Sequence, residues 1–142
     1  MGTQWRHIVT NSPEFRRGGV ILAVESVSRS TTFYSENLGF SVEQTFEAPD
    51  YAILHLNQMR LSFAEKGTEA DDIPGHFHYP PSDVTNQPTM LVVEVANCDT
   101  VHAALHAAGV TIASEVFRPP WGGGRFFIID PDGYLIEIEE MA

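Results

Sequence analysis

Apolar positions along the chain fall into short runs and alternations, never into long stretches. Residues 19–25 (GVILAVE) form a compact run rich in branched side chains, too short for a helix, which predicts a buried strand. Residues 28–40 (SRSTTFYSENLGF) change period. Phe33, Tyr34 and Leu38 recur at helical spacing, Ser28 is placed to cap, and Gly39 supplies a left-handed stop. Strands are predicted over 41–47, 51–56 and 59–64, with Pro49-Asp50 and Asn57-Gln58 as the turns between them. The order is βαβββ.

The pattern then recurs. Residues 89–95 (TMLVVEV) predict a strand, Asn97 or Asp99 caps a helix through TVHAALHAAG, and Gly109 ends it. Strands follow over 110–117, 125–129 and 134–140, the last two joined by the turn Asp130-Pro131-Asp132-Gly133. Two such units, roughly 70 residues apart, are an internal duplication. The chain therefore divides into an extension (1–18), a first module (19–65), a linking loop (66–88) and a second module (89–142). The loop holds four prolines, and its centre, His76-Phe77-His78-Tyr79, is placed either to lid a pocket or to anchor a surface loop.

Composition narrows the function. The chain of 142 residues is 43% hydrophobic and 19% charged, a globular balance. Eight Lys plus Arg stand against 19 Asp plus Glu, a net charge of -11, which argues against nucleic acid and favours neutral or cationic small ligands. Cys98 is the single cysteine, so a reducing compartment is expected. No apolar run approaches the roughly 18 residues of a membrane span, and residues 1–18 lack the apolar core of a signal peptide. A cytoplasmic protein, with no membrane partner, is the expectation.

The paired modules, the segment VESVSRSTTFYSENLGF and the ending DPDGYLIEIEE resemble the vicinal oxygen chelate superfamily over residues 19–140. That superfamily includes glyoxalase I, extradiol dioxygenases, fosfomycin resistance enzymes and bleomycin resistance proteins. The resemblance implies an α+β fold in which each module curls its sheet halfway, the two forming a cup, and it implies homodimers. It also implies four inward-facing metal-ligand positions, on the first and last strand of each module. These positions fall on Gly19, Ser62, Met90 and Glu137. Only Glu137 is a competent ligand for a hard or borderline divalent ion. No metal and no other cofactor is expected.

The segment Pro120-Trp121-Gly122 preceding the closing strand is similar to one in bleomycin resistance proteins, which lack the metal and sequester a cationic drug in an acidic, aromatic groove. On that basis Trp121, Phe126 and Tyr51 are the stacking candidates, with Glu137, His55 and Ser62 as polar contacts. No catalytic residue is assigned. The reading is of a metal-free protein that binds a small aromatic or cationic molecule, in the manner of antibiotic sequestration. Two alternatives stay open: a metal-dependent lyase, isomerase or dioxygenase using His55, His76 or His78 with Glu137, and an interaction module. His102 and His106, four apart on a helix, read as surface histidines, and Arg29 and Arg60 as solvated charge.

Overall fold

The computed structural model describes residues 13–142. The first module comprises β1 (Gly19–Val24), α1 (Val27–Asn37), β2 (Ser41–Phe46), β3 (Tyr51–Leu56) and β4 (Met59–Glu65). The second comprises β5 (Leu91–Glu94), α2 (Cys98–Ala107), β6 (Thr111–Ile112), β7 (Gly124–Ile129) and β8 (Leu135–Glu140). Each forms a four-stranded mixed sheet, ordered β1-β4-β3-β2 and β5-β8-β7-β6, whose first strand runs parallel to its last. This is the duplicated α+β architecture that the spacing predicts.

Alternation along the strands decides what each sheet face does. Leu22, Val24, Leu54, Leu61 and Phe63 in one sheet, and Val93, Phe126, Ile128, Ile136 and Ile138 in the other, join the buried core beneath the helices. Their neighbours face the opposite way and form the cup walls.

Three local expectations need correction. The cap of α1 is Ser26, whose side chain accepts from Arg29 N at 3.2 Å, rather than Ser28, which sits inside the first turn. The strand expected over 110–117 is reduced to Thr111–Ile112, with one further backbone bond from the Ala113 amide to the Phe127 carbonyl at 2.8 Å. Beyond it the Ser114 hydroxyl takes the Phe127 amide at 3.0 Å in place of a backbone carbonyl, and pairing resumes only as a bridge between Phe117 and Arg125. The strand expected over 89–95 is shortened to Leu91–Glu94, since the parallel register with β8 begins at Leu91 opposite Ile136. Residues 1–12 of the expected extension lie outside the described residues. Of the remainder, Arg17 grips Glu43 with its two terminal guanidinium nitrogens, at 2.8 and 3.3 Å.

Candidate functional site

The cup is built by register. On the first wall Gly19 stands opposite Arg60, Ile21 opposite Ser62, and His55 opposite Arg60 across β1, β4 and β3. On the second, Val92 and Phe127 flank Glu137, and Glu94 and Arg125 flank Glu139. Between β1 and β5 lies a mainly apolar cleft of about 450 Å³, lined by Gly18, Gly19, Met59, Met90, Val92 and Leu135.

The four positions that would hold a metal in this architecture do not fit one. Gly19 brings no side chain, and a Cβ there would lie 2.5 Å from the Arg60 carbonyl oxygen, so the backbone crossing itself excludes a ligand. The Ser62 hydroxyl is almost fully buried and accepts from Arg60 Nε at 3.2 Å. Met90 offers a thioether, a soft donor. Glu137 faces the cup but lies 3.5 Å from the Arg125 guanidinium. The alternative set is not assembled either. His55 Nδ1 is 3.1 Å from Glu43, the extra residue of a bulge in β2. His76 and His78 belong to the linking loop, and Glu137 to the other sheet. Among the described residues no three His, Cys, Asp or Glu side chains gather to hold a metal.

The aromatic candidates separate. Trp121 is 79% exposed and shares a cleft of about 480 Å³ with Phe117, Arg125 and Glu139. Its turn is bolted down by Arg118, which donates to the Gly123 carbonyl at 3.2 Å, to Glu140 at 3.0 Å and to Asp99 at 2.6 Å. The three glycines answer to geometry. Gly122 and Gly123 have φ of 103° and 75°, and a Cβ on Gly123 would meet the Glu140 carbonyl oxygen at 2.5 Å. Tyr51 lines a different cleft, of about 470 Å³, where Ile21 and Ala64 of the sheet meet Ile73, His76 and His78 of the linking loop. The loop thus covers part of the first wall.

Phe126 is not a stacking platform. It is fully buried under α2, edge-on to His102 with ring centroids 4.9 Å apart. Alternation gives the cup face to Phe127 instead, with the Arg125 guanidinium 5.6 Å from its ring centroid. His102 is accordingly a packing residue rather than a surface one, whereas His106 is exposed. Cys98 is buried, its thiol pushed up by burial and then by Glu140 nearby, which gives it no nucleophilic character.

Two groups escaped the sequence reading. Arg29 is no solvated charge: it donates to Asp132 at 3.0 Å, within a staple that ties the Asp130–Gly133 turn to the first module. Arg60 stands on the cup wall. Its signal was strand parity, since it is two residues from Ser62.

Comparison with known proteins agrees with this geometry. No curated protein sequence matches the chain significantly. Among solved structures, a virulence protein from Salmonella typhimurium is 24% identical with a TM-score of 0.69, over 92% of this chain and 100% of that one. TioX from Micromonospora sp. ML1 is 19% identical with a TM-score of 0.70, over 89% and 98%. A glyoxalase/bleomycin resistance protein/dioxygenase superfamily member from Sphaerobacter thermophilus DSM 20745 is 17% identical with a TM-score of 0.68, over 88% and 96%. At these identities the likeness establishes the fold. The family model described as glyoxalase/bleomycin resistance protein/dioxygenase superfamily matches residues 15–138, nearly the whole chain, and the protein belongs to that superfamily.

Proposed function

We propose that the protein binds a small aromatic molecule in its cup, without a metal and without transforming it, and that a cationic drug-like compound is the class it sequesters. The observation that carries this reading is the replacement of the metal positions by Gly19, Ser62 and Met90, with Gly19 sterically closed to any donor. The second wall offers the complementary chemistry. Glu94, Glu137 and Glu139 share a face with Phe127 and a single cation, Arg125. Trp121 stands beside them in the neighbouring cleft. Such a wall favours a planar cation by stacking, worth roughly 1–3 kcal/mol per good stack, and by charge.

Tryptophan fluorescence tests it. In a Trp5→Phe background Trp121 is the sole reporter, because the chain has two tryptophans. A bleomycin-type or other planar cationic compound is expected to quench or shift its emission saturably, and Trp121→Ala to weaken binding by about 1–3 kcal/mol. A panel of cationic aromatic drugs without any saturable response removes the reading.

A further inference from the structure

Among the described residues of this acidic protein, one Lys or Arg side chain lacks a carboxylate partner. The chain carries eight Lys plus Arg, and with Arg6 outside the described residues seven remain. Six of them sit within 4.0 Å of a carboxylate: Arg16, Arg17, Arg29, Lys66, Arg118 and Arg125. Arg60 alone does not. Residues 1–12 contain neither Asp nor Glu, so they hold no carboxylate for it.

Its place matters more than the count. Arg60 is half-buried on the first cup wall, opposite Gly19 on one side and His55 on the other. Its Nε is fixed by the buried Ser62 hydroxyl at 3.2 Å, and its two Nη groups make no hydrogen bond among the described residues. Gly19, with no side chain to cover it, lines the cleft between the sheets. Glu43, whose carboxylate feels Arg60 at longer range, is held by Arg17 and lies 3.1 Å from His55 Nδ1. A half-buried guanidinium with one edge anchored and the other without an acceptor among the described residues is arranged to receive a planar two-oxygen group.

Resting on the binding function just proposed, we infer that Arg60 is the receptor for a carboxylate or similar oxyanion on the ligand. The cup then takes an aromatic compound that is amphoteric, its cation toward the Glu137 wall and its anion toward Arg60. In a chain of net charge -11 this cation, without a carboxylate partner among the described residues, ranks an amphoteric ligand above one that is only cationic.

Fluorescence anisotropy with two dyes decides it. Rhodamine B is an aromatic cation bearing a carboxylate, and its ethyl ester keeps the cation and loses the anion. The wild-type protein is expected to prefer rhodamine B by about tenfold, the scale of a charge-assisted bidentate contact. Arg60→Met should collapse that ratio toward one, and Arg60→Lys should leave it intermediate, since charge is kept and the fork is lost. A wild-type ratio near one overturns the oxyanion receptor while leaving the aromatic-cation function standing. A ratio that survives Arg60→Met overturns the assignment to Arg60. Failure of both dyes to saturate overturns this inference together with the binding function. Thermal unfolding checks that each variant is folded, and should Arg60→Met not fold, the wild-type ratio and Arg60→Lys decide.

Discussion

The Tyr34 hydroxyl donates to Asp130 Oδ2 at 2.6 Å, joining α1 of the first module to the β7–β8 turn of the second across 96 residues. Around this bond the turn is saturated. Asp130 Oδ1 accepts from the amides of Asp132 and Tyr134, while Asp132 accepts from Glu25 N, Arg29 and Ser30. Tyr134 in turn donates to the Ala23 carbonyl at 2.7 Å. The Asp130–Tyr134 motif is therefore a staple between modules. It sets where the cup walls stand, and its Tyr134 also lines the cleft between the sheets.

Tyr34→Phe should destabilise the protein by about 1–3 kcal/mol in denaturant unfolding, because a buried carboxyl loses its donor. Alkali should act at the same place. Burial, reinforced by the nearby Asp130 charge, raises the Tyr34 phenol well above its usual range and Tyr134 to about 12. Both phenols thus ionise more easily unfolded than folded. Their stabilisation is complete below the unfolded value near 10, and it is lost as pH rises from there through the folded values. Wild-type stability should fall steeply above pH 10, and less steeply in Tyr34→Phe. An unchanged alkaline limb in that variant would remove Tyr34 as the cause.

Gly18 and Gly19 make a matched pair of controls. A Cβ on Gly18 meets nothing within 4 Å, whereas one on Gly19 meets the Arg60 carbonyl oxygen at 2.5 Å. Gly18→Ala should be nearly neutral, and Gly19→Ala should cost about 1–3 kcal/mol, the range of overpacking. The same clash predicts that Gly19→His combined with Met90→His fails to bind one zinc per chain. Elemental analysis after dialysis is the measurement, and a stoichiometric metal content would show that the strand can shift to admit a donor.

The repeat was legible because strand and helix periods, glycine stops and the Asp-Pro-Asp-Gly turn all agree locally, while the cup was expected only from the family resemblance. What was not legible depends on parity and on partners. Phe126 and Phe127 are adjacent aromatics in one strand, and only the observed register assigns Phe126 to the core and Phe127 to the cup. The short β6 was hidden because a serine hydroxyl replaces a ladder carbonyl, which no hydrophobic pattern encodes. Arg60 and Arg29 looked alike as lone cations in sequence. Their difference lies in Asp132, a carboxylate 103 residues from Arg29 that closes on one and not on the other.

A homodimer is expected. Ile21 and Val92 on the cup walls and Met90 beside them remain 44–50% exposed, and β2 is an edge strand with its whole length solvent-facing. Light scattering at micromolar concentration should give twice the 15.7 kDa mass of the chain. A clean monomer there would mean that this apolar surface serves the ligand alone.

Arg125 competes with a cationic ligand for its own site. It lies 3.5 Å from Glu137 and 5.6 Å from the Phe127 ring centroid, so it already occupies both the charge and the π-face that a cationic ligand would use. Its side chain is half exposed, which keeps the ion pair weak in water. A cationic ligand must displace it. Arg125→Gln should therefore strengthen binding of a planar cation by roughly two- to fivefold, the scale of one exposed ion pair. The gain should shrink as salt is raised, because the competing attraction is itself screened. Glu137→Gln should act in the opposite sense, and in that background Arg125→Gln should give a smaller gain, since only the Phe127 face remains to be freed once the Glu137 charge is gone. Anisotropy titrations of the four proteins with one cationic dye measure this cycle. Weaker binding in Arg125→Gln would place the ligand's cation elsewhere than on the Glu137 wall.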